Sequence, residues 1–465
     1  MGAAAAARNP PRCSSMKKTT TLQHLFEMDS KLHGISSSTL LAPSTEPETD
    51  ELISMISYCT FVFTFTDSSE SPLQHELKRH KLLHILSAVR SPKRGLLSDD
   101  RFLSSLITML SANLFRPIPP PAYPCIPPDT LDEESPAIAF TPSWPHLHIV
   151  YDILAALVSS ADSKILQSHI NRSFLCCLVS LFQSEDPRER DRLKNVYHQI
   201  YSRLTSDRGF MRKSMNNVFL HFACDTERHC GIAELLEICG SIINGFMVPL
   251  KEEHKQFLVK VLLPLHKHKG MQGYHQQLSY CVSQFMQKEP ELIGVVVRRI
   301  LKYWPVTNCH KELLLIGELE ELVLSVELEQ LDEVAVLLCS QVARCLNSTN
   351  SQVAEKALYL WNNEQFVKMA MQSKEGVLPA VVESLENNIK CHWNKTVQDL
   401  TISVKKMIEE LEPGLYSKCL MELQLQKSIS EQEEKKRKER WERLELAAAN
   451  KNLFLQPNCV AYASQ

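Results

Sequence analysis

Along most of this chain, apolar residues return at intervals of three and four, the period of a helix with one buried face. In FQSEDPRERDRLKNVYHQIYSRL, residues 182–204, the positions Leu193, Val196, Tyr197, Ile200 and Leu204 share such a face. Asp186 stands at the N-cap, Pro187 at the first helical position, and Glu189 three residues on at capping-box spacing. The charges of SEDPRER are therefore expected to cap this helix and to face solvent or a partner. The same periodicity predicts helices over 146–160, 168–183, 187–204, 208–224, 231–246, 250–266, 274–288 and 291–304. It continues over 310–326, 330–346, 351–372, 377–389, 394–411 and about 413–449. Short connections are punctuated by Pro187, Gly231, Pro249, Pro290 and Pro305. Paired helices recurring about every 40 residues predict an all-α fold, a curved α-solenoid of HEAT-like repeats.

The periodicity fails in three places, and these set the domain organisation. Residues 1–49 are rich in Ser, Thr, Pro and small residues and are expected to be a mostly disordered extension, interrupted by a short helix near Leu22–Leu32. Ordered repeats are expected over 50–449, with a Pro-dense loop at 114–145 inside them, followed by a short flexible tail at 450–465.

Composition narrows the class. The 465 residues are 44% hydrophobic, enough for a sizeable core, and include only 13 Gly, which argues against hairpin-rich β structure. The formal net charge of −3 gives no overall pull toward nucleic acid. The most apolar early run, residues 52–66, is too short and polar to span a bilayer, so no membrane insertion is expected. The opening MGAAAAARNPP lacks the apolar core of a signal peptide, and Ala6 stands where a myristoylation signal needs Ser or Thr. The 15 Cys are scattered without a CxxC pair and read as reduced thiols, placing the chain in the cytoplasm or nucleus.

Catalytic signatures are missing: there is no GxxxxGK[ST], GxSxG, HExxH or GxGxxG, and no enzyme activity or cofactor is expected. His221, Cys224, His229 and Cys230 crowd ten residues, but their spacing matches no zinc finger and no metal is expected. The run KKRK at 435–438 alternates with Glu in a helical pattern and reads as a solvated face. Residues 195–255 hold more. His198 and Tyr201 are three apart on one helix, and Arg208 and Arg212 four apart on the next. Ile238 and Ile242 are four apart on the third, Lys251 and His254 three apart on the fourth. Lined up, these faces would form a groove with an apolar floor and cationic rim, suited to an extended acidic or phosphorylated peptide. Spacing alone favours the plainer reading, a core Ile pair with independent surface charges, since amphipathic helices offer many such pairs.

Longer motifs bear on that choice. SEDPRERDRLK, NNVF at 216–219 and GIAELLEICGSIINGFMVPLKEEHKQFLVKVLLPLHK at 231–267 resemble the B-prime (PR61-type) regulatory subunits of protein phosphatase 2A. So do LKYWP at 301–305, QVAEKALYLWNNE at 352–364 and HWNKT at 392–396, and the resemblance spans roughly residues 50–447. It implies a HEAT-like array and a non-catalytic subunit, docked on the phosphatase scaffolding and catalytic subunits as a heterotrimer. Its implied role is to recruit substrates bearing a Leu-x-x-Ile-x-Glu motif, often with flanking acids or phosphate. In the groove so implied, His198, Tyr201, Arg208 and Arg212 take the polar and cationic positions, Ile238 and Ile242 the floor, and Lys251 and His254 the adjoining wall. Where many members of that family have Arg after His198, this chain has Gln199, which lacks the charge and the bidentate fork. A helical-repeat adaptor or transport factor that does not assemble with the phosphatase is the competing expectation.

Overall fold

The structure, a computed structural model, describes residues 46–63, 65, 71–118, 140–225 and 228–452. The helix expected near Leu22–Leu32, residues 119–139 of the Pro-dense loop and the end of the C-terminal tail lie outside the described residues. The described residues are all-α, with no strand among them.

The chain divides into two units: residues 1–247 with 273–281, and residues 248–272 with 282–465. The first contains α1 (Glu46–Cys59), α2 (Pro72–Arg90), α3 (Asp100–Leu114), α4 (Trp144–Ser160), α5 (Ser163–His169), α6 (Arg172–Ser180), α7 (Pro187–Arg203), α8 (Arg208–Asp225) and α9 (Ile232–Asn244). Here α2 packs on α4, α4 on α7 and α7 on α9, while α1 packs on α3 and α6 on α8 in a second layer. The second unit contains α10 (Glu252–Phe257), then α12 (Ile293–Lys302), α13 (Cys309–Ser325), α14 (Leu328–Leu346), α15 (Ser351–Tyr359), α16 (Glu364–Gln372), α17 (Lys374–Cys391), α18 (Lys395–Leu411) and α19 (Pro413–Asn452). Between α10 and α12 runs α11 (His275–Lys288), within which the two units meet in sequence. In the second unit α12 packs on α14, α14 on α17 and α17 on α19, with α13, α15 and α18 stacked alongside. Each unit is thus a two-layer ladder of helices, the packing of helical repeats.

Three expected helices are broken, each for a local reason. Residues 250–266 form α10, a π-type turn at Leu258–Leu262 and a 3-10 segment at Leu263–Lys267. Pro264 has no N–H, and its ring crowds the carbonyl four residues back, so a regular α-ladder cannot pass it. Residues 168–183 split at Asn171, whose side chain accepts from the Phe174 N–H and starts α6. Residues 351–372 split at Asn363, which accepts from the N–H groups of Gln365 and Phe366 to start α16.

At the start of α7 the expectation of a solvent-facing capping box is overturned. Asp186 does cap the helix, accepting from the Arg188 N–H at 3.0 Å, but it is buried and also takes the Thr141 N–H at 2.9 Å. Glu189 does not reach back to the cap. Its fully buried carboxylate accepts from both terminal nitrogens of Arg116, from Tyr151 Oη at 3.0 Å and from Ser184 Oγ at 2.6 Å. Burial pushes the Tyr151 hydroxyl well above its ordinary range and Glu189 adds to this, so it remains a donor. For Asp186, burial alone would raise the pKa, but the Arg188 side chain and the Thr141 and Arg188 N–H groups outweigh it and hold the carboxyl below 3.8. Asp186→Ala is therefore expected to destabilise the protein by roughly 1 kcal/mol at neutral pH. A depressed carboxyl contributes its stability above its unfolded pKa and loses it on acidification, so the gap to wild type in urea midpoint should close as the pH falls through the native pKa.

Among the described residues, no single helix is long and apolar enough to cross a membrane. Residues 428–448 of α19, including KKRK, are exposed throughout.

Candidate functional site

The turn from α7 to α8 builds a compact polar cluster. Arg208, the first residue of α8, donates from Nε to the Tyr201 carbonyl at 3.0 Å and from Nη2 to the Ser202 carbonyl at 2.8 Å. Those carbonyls belong to the last turn of α7, where intrahelical donors run out, so Arg208 closes the helix end. Its guanidinium also lies 5.4 Å from the centroid of the Tyr201 ring. One turn on, Arg212 donates from Nη1 to Tyr201 Oη at 3.0 Å. Tyr201 is thus held at its backbone, ring and hydroxyl by two arginines, both of them partly exposed. His198, one turn before Tyr201, is half-buried, and its carbonyl accepts from Ser202 Oγ.

The neighbouring helix α9 is tied to α7 by two ion pairs that the motif reading had passed over. Arg190 meets Glu234 at 2.7 Å and Lys194 meets Glu237 at 2.7 Å. Lys194 is buried, which alone would lower its pKa, but Glu237 and then Asp191 outweigh this and keep it charged. Gln277 adds a 3.3 Å bond to Glu237. Their sequence signal is basic residues four apart on one helix facing acids three apart on the next. Glu237 directly precedes Ile238, so these bonds also set the height of the Ile pair. Ile238 is 2% exposed and Ile242 8%, the second offering more surface. Gly240 lies between them; a Cβ there would sit 2.9 Å from the Tyr280 ring, so the close packing of α9 on that ring requires glycine.

Gln199 stands on another edge of α7. That edge carries Arg192, which meets Asp152 of α4 at 3.1 Å, and Arg203, which donates to the Ala161 carbonyl just beyond α4. Gln199 Oε1 is buried and has no hydrogen-bond partner among the described residues. Lys251 and His254 belong to the second unit. Lys251 is exposed at the N-cap of α10, and His254 lies in its first turn with Nε2 3.5 Å from Glu253 Oε1. The first unit therefore gathers Tyr201, Arg208 and Arg212, with His198 a turn away and the Ile pair on α9.

The His–Cys cluster has a different setting. His221 and His229 line a cavity of about 310 Å³ together with Cys176, Val179, Asn217 and Phe222. Burial, followed by the nearby Arg190 charge, lowers the His229 pKa to about 4, and its Nδ1 accepts from the Gly231 N–H. Among the described residues no group of three His, Cys, Asp or Glu is placed to hold a metal ion.

Residues 38–448 match the family model described as the protein phosphatase 2A regulatory B subunit, B56 family. This chain belongs to the B56 family. Over 396 residues it is 44% identical to the B' beta isoform of the Arabidopsis thaliana serine/threonine protein phosphatase 2A 57 kDa regulatory subunit, covering 85% of this chain and 79% of that protein. The B' alpha isoform is likewise 44% identical over 393 residues, covering 84% and 79% of the two chains. Among solved structures, an engineered protein aligns with a TM-score of 0.30 at 12% identity, over 83% of this chain and 98% of its own, a level of likeness that adds nothing to the fold. Membership of B56 makes this chain a non-catalytic regulator of a serine/threonine phosphatase.

Proposed function

We propose that this chain is a targeting subunit of a phosphatase 2A heterotrimer, acting in the cytoplasm or nucleus. It docks on the scaffolding and catalytic subunits and recruits substrates through a short acidic or phosphorylated motif of the form Leu-x-x-Ile-x-Glu. The B56 match over residues 38–448 carries this reading. Recruitment works by effective concentration: a tethered phosphosite meets the catalytic subunit often, with no chemistry from this chain.

Supporting the motif site is the cluster on α7 and α8, where partly exposed guanidinium groups of Arg208 and Arg212 flank Tyr201. Such groups suit a carboxylate or phosphate, and Ile242 on α9, 8% exposed, is the apolar contact in this reading. Gln199, on a different edge of α7 from this cluster, lacks the charge of the Arg that many family members carry there, and in this reading the motif forgoes one charge-assisted bond at that edge. That loss is worth on the order of 1–3 kcal/mol, roughly five- to more than a hundredfold in affinity.

Fluorescence anisotropy of a labelled Leu-x-x-Ile-x-Glu peptide tests the site. Arg212→Glu, at a partly exposed position, should weaken binding at least tenfold, and Gln199→Arg should tighten it. Unchanged affinity in Arg212→Glu would remove this cluster from substrate recruitment. Docking is tested separately by co-expression with the scaffolding and catalytic subunits, where a stable heterotrimer is expected and its absence would overturn the assembly.

A further inference from the structure

Arg208 and Arg212 meet no carboxylate among the described residues. Nη1 of Arg208, and Nε and Nη2 of Arg212, have no acceptor there either. Two partly exposed, unneutralised guanidinium groups around one tyrosine make a site that an anion completes. In the proposed function that anion arrives on a peptide.

The connection from α7 to α8 offers a second source. It is a single 3-10 turn, Thr205–Asp207, in which Thr205 and Ser206 are exposed. The Arg208 Nη2 bond to the Ser202 carbonyl folds the start of α8 back on the end of α7, and Ser206 lies within the loop that this bond closes. Two residues separate Ser206 from Arg208, at most about 7 Å of chain. Ser206 Oγ donates to Asp207 Oδ2 at 3.2 Å, while Asp207 Oδ1 accepts from Arg172 Nε at 3.4 Å. Arg203 stands three residues before Ser206, a basic mark of the kind that protein kinases read in choosing substrates.

We propose that Ser206 is a phosphorylation site whose phosphate occupies Arg208 and Arg212 in place of an external anion. The phosphoryl donor is a nucleoside triphosphate held by a protein kinase. Ser206 Oγ bonds to the γ-phosphorus as the bridging bond to the β-phosphate breaks, the nucleoside diphosphate leaves, and the hydroxyl proton passes to the base of the kinase. The product carries about −1.5 to −2 charges at neutral pH and three acceptor oxygens, enough for one to three charge-assisted bonds. Asp207 beside it has like charge, so the phosphate gains on the arginine side. Tethered by so short a piece of chain, it acts at an effective concentration in the millimolar range, well above that of a free peptide. That this blocks substrate recruitment rests on the motif site proposed above; the contact between phosphate and arginines does not.

The full chain is treated with a purified serine kinase selective for Arg three residues before the acceptor, with magnesium and ATP. Mass spectrometry should place phosphate on Ser206, and its absence there would overturn the proposal. Phosphorus NMR then follows the second ionisation of the phosphate. It should occur at lower pH in the folded chain than in the same chain unfolded in urea, and equal values would reject the internal contact. A lowering that survives Arg208→Gln/Arg212→Gln, in protein shown to be folded by circular dichroism, would assign the phosphate to other cations such as Arg172 and likewise reject it. By anisotropy, the labelled Leu-x-x-Ile-x-Glu peptide should bind phosphorylated chain at least tenfold more weakly than unmodified chain, and equal affinity would rule out the block. Should the unmodified chain bind no such peptide, the motif site fails by itself, and the ionisation alone upholds or rejects the phosphate on the arginines.

Discussion

Glu189→Ala is expected to lower the free energy of unfolding by about 3–5 kcal/mol, the largest effect of a single substitution foreseen for this chain. Its carboxylate is fully buried and receives donors from three separate pieces of chain: Arg116 beyond α3, Tyr151 on α4 and Ser184 before α7. Removing it leaves a partly exposed guanidinium with only the Leu114 carbonyl at 3.5 Å and strands a fully buried phenol without an acceptor, and a stranded buried donor loses much more than a hydrogen bond is worth net. Glu189→Gln keeps one acceptor oxygen and should fall between the two. Urea unfolding followed by circular dichroism measures both variants, and a loss below about 1 kcal/mol for Glu189→Ala would mean that water replaces the missing carboxylate.

Raising the pH from 8 to 10.5 should stabilise wild type relative to Lys78→Met by up to roughly 3 kcal/mol. Lys78 is 1% exposed. Burial lowers its pKa from an ordinary 10.5 to about 8, with neighbouring Cys59 acting in the other direction. Below about 8 the native ammonium is held in a buried site, and the full penalty applies. Between about 8 and 10.5 the unfolded chain binds the extra proton, so stability climbs with pH, and above that window the penalty is gone. The native site suits the neutral amine: its two N–H groups match two acceptors, the Phe61 carbonyl and Asn113 Oδ1, each at 2.6 Å. Cys59 stays protonated through this window because burial pushes its thiol up to about 11. Lys78→Met also strands those two acceptors, an offset that does not vary with pH. The diagnostic is therefore the slope of the difference in urea midpoints, and parallel curves from pH 7 to 10.5 would show that the ammonium is not penalised.

Much of the fold was legible because helix ends are local events. Pro187 and Asp186 announce the start of α7, and the expected 187–204 is found as Pro187–Arg203. Where local chemistry competes, the period alone misleads. Pro264 turns an apparently continuous 250–266 into three kinds of turn, and Asn171 and Asn363 each restart a helix within an unbroken apolar pattern. The role of Glu189 was illegible for another reason. Its spacing from Asp186 fits a capping box, whereas its partners Arg116 and Tyr151 lie 73 and 38 residues away in sequence. At the candidate site the pairing of Arg208 and Arg212 was visible as a four-residue interval. Nothing in that interval says that both arginines converge on Tyr201, since this depends on the turn between α7 and α8.

The anchors at the start of α7 have one more consequence. Arg116 is bound to Glu189, and the Thr141 N–H to Asp186, so the two flanks of the Pro-dense segment are fastened to the same helix start, three residues apart. What lies between, residues 117–140, leaves from and returns to fixed points. For a segment tethered in this way the closure entropy grows only with the logarithm of length, and doubling it adds about 0.6 kcal/mol. That makes this stretch the natural point for the chain to be lengthened, by evolutionary insertion or by a grafted epitope, while the helices on either side keep their places.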